Sequence, residues 1–120
     1  MKLLECKVSE GEPKIFVSSR VELANGFFTR LKGLLGRTGL AEGEGILLSP
    51  CSSIHCFGMK FPIDVIFLDR NYNIIDLKRD MRPGSHASCG KARFVLELKA
   101  GEIEKNELQI GQQLEFKQIG

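Results

Sequence analysis

The chain has 120 residues, a length that supports one hydrophobic core and leaves little room for a second. Its composition, 42% hydrophobic and 27% charged, is that of a globular domain rather than a disordered one, and no apolar stretch reaches the roughly 18 residues of a membrane span. With 17 basic and 15 acidic side chains, the net charge of +2 is too balanced to imply nucleic acid or another electrostatic partner.

The first residues, MKLLECKVSEG, lack the apolar centre of a secretory signal, so the expectation is a cytoplasmic protein. In that compartment the four cysteines are expected as free thiols, small buried residues or metal ligands, not as a disulfide framework. Leu3 to Val8 and Lys14 to Val17 read as short strands separated by SEGEP, where Gly11 and Pro13 supply turn chemistry. Apolar residues at 27, 28, 31, 34 and 35 predict a helix from Phe27 to Leu35, with Asn25 as N-cap and Gly36 as the stop. Gly45 to Ser49 is a strand stopped by Pro50.

Ile63 to Leu68 is an apolar run broken by Asp64, and Asp69-Arg70-Asn71-Tyr72 turns it into Asn73 to Leu77, the clearest hairpin signal in the chain. Met81 to Gly90 holds Pro83, Gly84 and Gly90 and reads as a loop. The basic run LKRDMRP, Leu77 to Pro83, carries Asp80 and no interleaved aromatic, so it reads as a solvated segment and not a nucleic-acid surface. Phe94 to Leu98 is a strand broken by Glu97, Glu102 to Leu108 makes a helical turn or two, and Gln113 to Phe116 is the last strand. Many short strands without regular strand–helix alternation predict a mainly β fold with one short α-helix (α+β), a small antiparallel β-barrel-like single domain over residues 1–120.

The stretch CSSIHCFGMKFPIDVIF, Cys51 to Phe67, gathers two cysteines, a histidine and a methionine. Metal ligands must converge within about 2.0 to 2.3 Å of one point. Strand alternation would turn His55 and Cys56 to opposite sides and leave Cys51 and His55 about 13 Å apart, and paired Cys-x-x-Cys spacing is missing, so neither a metal nor another cofactor is expected. Thiol–metal chemistry would need Cys89 brought in from the distant loop. A nucleophilic alternative takes Cys56 or Cys89 as the thiol, His55 as base and Asp64 as the orienting group. Asp64 and Glu97 each interrupt an apolar strand, where a carboxylate needs a partner. Arg30, Lys60 and Arg93 are the obvious candidates, and a paired-carboxylate site of Asp64 with Glu97 is the functional alternative.

Three segments, RLKGLLGR at Arg30 to Arg37, EGILLSPCSSIHCFGMKFPIDVIFLD at Glu44 to Asp69 and ARFVLELKAG at Ala92 to Gly101, closely resemble the uncharacterised prokaryotic family called domain of unknown function 192 (DUF 192). The resemblance runs from about Phe27 to Phe116. It implies a small single domain built on a β-barrel-like sheet with a short helix, and it supplies no catalytic residues. Arg30, Gly33, Leu34, His55, Met59, Pro62, Asp64, Asp69, Glu97, Ala100 and Gly101 fall at its signature positions. The chain departs from the pattern at Cys56, where Thr is usual, and at Tyr72, where the hairpin turn usually has Gly; Tyr72 is costly if that position needs positive φ, unless Asn71 supplies it.

The expectation is therefore a non-enzymatic binding or accessory module for a peptide, protein or small ligand, near the 55–64 segment and the Met81 to Gly90 loop. Its candidate surface is His55, Met59, Asp64, Glu97 and Arg30. The alternative is an enzyme or thiol/metal-binding protein using His55 with Asp64, Glu97 and one of Cys51, Cys56 and Cys89.

Overall fold

The computed structural model describes residues 2–11, 15–24, 39–55 and 60–119, with His55 described in its backbone alone. The strands are β1 (Leu3–Val8), β2 (Phe16–Ala24), β3 (Glu44–Leu48), β4 (Ser53–His55), β5 (Ile63–Leu68), β6 (Ile74–Met81), β7 (His86–Ser88), β8 (Phe94–Lys99) and β9 (Leu114–Gln118), with one four-residue helix, α1 (Glu102–Lys105). The helix predicted over Phe27 to Leu35 lies outside the described residues.

Among the described residues, seven strands form one sheet in the order β6-β5-β8-β3-β2-β1-β9, while β4 and β7 pair only with each other. All pairs are antiparallel except β2 with β3, which is parallel, so the sheet is mixed. The sheet curls into a half-barrel. Its end strands meet at one place: Ile74 N–H donates to Gln112 O, Gly111 N–H donates to Ile74 O, and Asn73 bridges to Gln113.

The inner strands β5 and β8 read as apolar runs, broken only by Asp64 and Glu97, because both of their faces are covered. Every residue of Ile63–Leu68 is buried, as are Val95 to Leu98. Alternation divides their side chains into two packed layers. Ile66, Leu68, Leu96 and Leu98 join Leu47, Val21 and Leu114 on the face where Ile103 and Leu108 of the α1 region pack, the helix face. Ile63, Val65, Phe67 and Val95 join Ile46, Leu48 and Met81 on the other, where Ile54 and Ala87 of the β4–β7 pair also pack, the ribbon face.

Three sequence expectations change. The strand expected over Lys14 to Val17 is Phe16–Ala24, because Ser18, though polar, is buried and donates its hydroxyl to Gly43 O at 2.7 Å. The loop expected over Met81 to Gly90 contains β7, which exists only by pairing with Ser53–His55. At the β5–β6 turn, Tyr72 itself takes φ 65°, so Asn71 does not relieve it. Asp69 organises that turn by accepting the N–H groups of Asn71 and Asn73 on Oδ1 and the Asn73 amide on Oδ2.

Candidate functional site

Asp64 is 1% exposed, and among the described residues its partners are backbone N–H groups and not Lys60 or Arg93. Oδ1 accepts the Asp80 N–H at 2.9 Å; Oδ2 accepts the N–H groups of Gly101 at 3.1 Å and Ile103 at 2.9 Å. A carboxylate with several N–H donors is a satisfied buried charge, which explains how it stands inside an apolar strand. Both ends of this arrangement are irregular. Asp80 has φ 52° in a bulge, where the register steps from Val65↔Lys78 to Ile63↔Met81. Gly101, at φ 100°, is the N-cap of α1 and has no side chain to cap with, so Asp64 performs that capping from β5. The position expected to need a cation anchors backbone among the described residues, where neither Lys60 nor Arg93 pairs with it; Arg30 lies outside them.

Glu97 is treated differently. It is 2% exposed, and no described residue hydrogen-bonds or pairs with its carboxyl. Burial raises it to about 8, so the group is largely protonated at neutral pH. Its register partners are Val65 and Ile46, which puts it on the ribbon face, whereas Asp64, opposite Leu98, lies on the helix face. The paired-carboxylate site considered from sequence is not assembled: adjacent strands hold the two acids on opposite sides of one sheet.

The same geometry bears on the nucleophilic arrangement. His55 belongs to β4, in register with His86, and this pair of strands covers the ribbon face, away from Asp64, whose oxygens are already engaged. Cys51 and Cys89 are half-buried against the ribbon face, and the Cys51 thiol donates to Ser53 O. They share a face with Glu97. Arg30, Cys56 and Met59 lie outside the described residues. Among the described residues no group of three His, Cys, Asp or Glu side chains converges as a metal site would. Cys6, the remaining described thiol, is fully buried, and that burial, with the nearby Glu115 charge, pushes its pKa far up, which makes it an inert core residue.

The sequence reading pointed to the Met81 to Gly90 loop, but not to the space that loop encloses beside β6. Arg82 to Ser85 is a tight turn closed by Ser85 N–H and Oγ, both donating to Arg82 O, with Gly84 at φ 87°. Two strands joined by such a turn ordinarily pair as a hairpin. Here β6 pairs with β5 in the large sheet and β7 with β4 in the small one, so the strands diverge. Between them lies an open cavity of about 540 Å³, lined by Leu77–Arg82 and Ser85–Ser88, a size within the range of ligand sites. Its cations are Lys78, Arg79 and Arg82. Lys78 is 3.6 Å from Asp76 and Arg82 is 2.9 Å from Asp80, both exposed contacts, while Arg79 forms no ion pair with a described residue. The signal was the run LKRDMRP. Its meaning was hidden because the pairing of β7 with β4 is not local.

Comparison with known proteins fits this architecture. The family model DUF192, described as "Uncharacterized ACR", matches residues 8–116. Two curated relatives are each named "UPF0127 protein": one from Thermococcus sibiricus, 32% identical over 82% of this chain and 67% of its own length, and one from Thermococcus gammatolerans, 32% identical over 76% and 62%. The chain thus spans about two thirds of the length of these relatives. Among solved structures, a protein of unknown function from Novosphingobium aromaticivorans superposes with a TM-score of 0.81 over 94% of this chain and 84% of its own, at 22% identity. A Sinorhizobium meliloti protein described as a candidate transcription regulator superposes at 0.82 over 96% and 92%, again at 22% identity. At that identity the likeness concerns the fold.

Proposed function

The chain belongs to the DUF192 family, and from that footing we propose that it is a non-enzymatic binding module, taking a peptide, protein or small ligand at the surface between β6 and the β4–β7 pair. The observation that carries this reading is the open cavity between two consecutive strands held in different sheets. One wall, β6, belongs to the large sheet, which gives a recognition surface a firm support. Asp64 supports it from below: by holding the Asp80 N–H it fixes the bulge from which Asp80, Met81 and Arg82 enter the wall. The signature residue then acts as a positioning group for the surface and not as a contact.

Screening a fragment and short-peptide library against the full chain by amide chemical-shift mapping tests this. Shifts that cluster over Leu77–Ser88 support the module. Hits that cluster instead around Glu5, Lys7 and Glu115, which line a different hollow, would overturn it.

One observation favours a second reading, an enzyme or thiol site: a protonated buried Glu97 shares a face with Cys51 and Cys89. In that case Glu97→Gln would change the rate at which iodoacetamide alkylates Cys51 or Cys89. Equal rates in the parent and the variant would remove it.

A further inference from the structure

The cavity between β6 and β7 has a backbone character as well as a charge. β6 is an end strand of the seven-stranded order, and among the described residues its outer side is bonded near its start, where Ile74 bonds Gln112 and Gly111. From Leu77 to Met81 no described strand pairs with it on that side, and β7 has no described strand partner other than β4. Edge strands of this kind present N–H and C=O groups that a further strand can accept. Proteins commonly blunt such edges with charge, a bulge or extreme shortness. All three occur here: Lys78 and Arg79, the bulge at Asp80, and a β7 of three residues. Yet both edges border one open space, so they form a slot.

We infer that this slot receives an extended acidic peptide segment of another protein, which adds a strand beside β6 and sets its carboxylates against the cations there: Lys78 on the ribbon face, Arg79 on the helix face, and Arg82 just past the strand's end. The inference rests on the binding-module reading and names its partner. Strand addition supplies affinity through main-chain hydrogen bonds, while alternate side chains give specificity. The wall provides the complement: among the described residues that line it, three cations stand against one acid, Asp80, and Arg79 makes no ion pair with a described residue. Existing pairs do not block an incoming carboxylate, because exposed ion pairs are worth little and exchange readily. The β6 edge is also short. At about 3.3 Å per residue, Leu77 to Met81 spans roughly four residue steps, which suits a short linear segment more than a folded surface.

The probe is a short peptide alternating glutamate and valine, blocked at both ends, titrated into the full chain and followed by amide shifts and fluorescence anisotropy. Three controls accompany it: the lysine–valine counterpart, a serine–valine counterpart, and the glutamate peptide N-methylated at alternate residues. The inference expects shifts in Leu77–Met81 and His86–Ser88, affinity that falls with added salt, and at least a tenfold loss on N-methylation. It also expects at least a tenfold loss in the double variant Arg79→Glu, Arg82→Glu, whose melting temperature should stay near the parent's because both side chains are exposed.

Undiminished binding of the N-methylated peptide would overturn strand addition, and equal binding of the lysine peptide would overturn the charge preference. If the serine or lysine peptide alone shifts these amides, the inference fails and the binding-module reading stands. If no peptide shifts them and the library screen is also silent there, both fail. A concentration-dependent dimer that pairs two β6 edges and excludes the peptide also overturns the inference.

Discussion

Tyr72 holds φ 65°, where the Cβ of an L-residue crowds the backbone at a cost of about 1 to 2 kcal/mol. Its ring returns part of that cost by stacking on Phe94, centroids 4.7 Å apart, and meeting Phe116 edge-on at 5.0 Å. The two effects separate by substitution. Tyr72→Ala loses the rings and keeps the strain, whereas Tyr72→Gly loses the rings and relieves it, so the glycine variant should be the more stable of the two by about 1 kcal/mol in urea unfolding. An alanine variant as stable as glycine would mean the turn is unstrained. Glu97 carries the pH dependence. Burial raises it from the ordinary 4.5 to about 8. The folded chain therefore keeps a proton that the unfolded chain releases above about pH 4.5, so the stability this group contributes is full below that point and is lost as pH rises through about 8. Within the window the decline approaches about 1.4 kcal/mol per pH unit. Glu97→Gln, neutral throughout, should flatten it. Unfolding curves for parent and variant at several pH values across the window check this, and parallel pH profiles would refute it.

Among the elements, those legible in the sequence are the ones whose local pattern agrees with their surroundings. β5 and β8 sit inside the sheet and read as apolar runs broken only by Asp64 and Glu97; the turn after β5 announces itself in Asp69-Arg70-Asn71. β2 was half legible, since Ser18, Ser19 and Arg20 interrupt its pattern and only the position of Gly43 across the sheet explains them. β7 was not legible, because three residues reading His-Ala-Ser become a strand only beside β4. For the candidate site, the cost of burying Asp64 and Glu97 was readable, but their fates were not. Backbone donors leave no mark in a sequence, and a face is assigned only once the register is known. Two predictions belong here. Gly45 lies where a Cβ would come 2.8 Å from Leu98 Cδ2 and 3.1 Å from Glu97 O, so Gly45→Ala should cost about 1 to 3 kcal/mol by forcing β3 from β8. A melting temperature unchanged in that variant would show that Leu98 simply moves aside. The β4–β7 pair, with three residue pairs, should open more readily than the large sheet. In native-state hydrogen exchange, amides of Ile54 and Ala87 should be protected at least a hundredfold less than those of Ile66 and Leu96, and equal protection would make the ribbon part of the same cooperative unit.

For the molecule as a whole, the half-barrel is organised around a sheet with two packed faces, one closed by α1 and the other by the ribbon. No helix among the described residues is long and apolar enough to cross a membrane. The contacts of Asp64 link distant parts of this design: they join β5 to donors 16, 37 and 39 residues further along the chain. The Asp80 bond can form with the β5–β6 hairpin, but the other two wait for the start of α1, so the carboxylate is fully satisfied only when both the bulge and α1 have arrived. Asp64 should therefore act late, after the barrier to folding has been crossed. Asp64→Asn, which keeps the shape and turns one acceptor into a donor facing N–H groups, should destabilise by about 3 kcal/mol. Nearly all of that should appear as an unfolding rate raised about a hundredfold, with the folding limb of the chevron unmoved. A slowed folding limb would instead put Asp64 in the nucleus. If it acts late, this one carboxylate sets how long the native molecule lasts more than how quickly it forms.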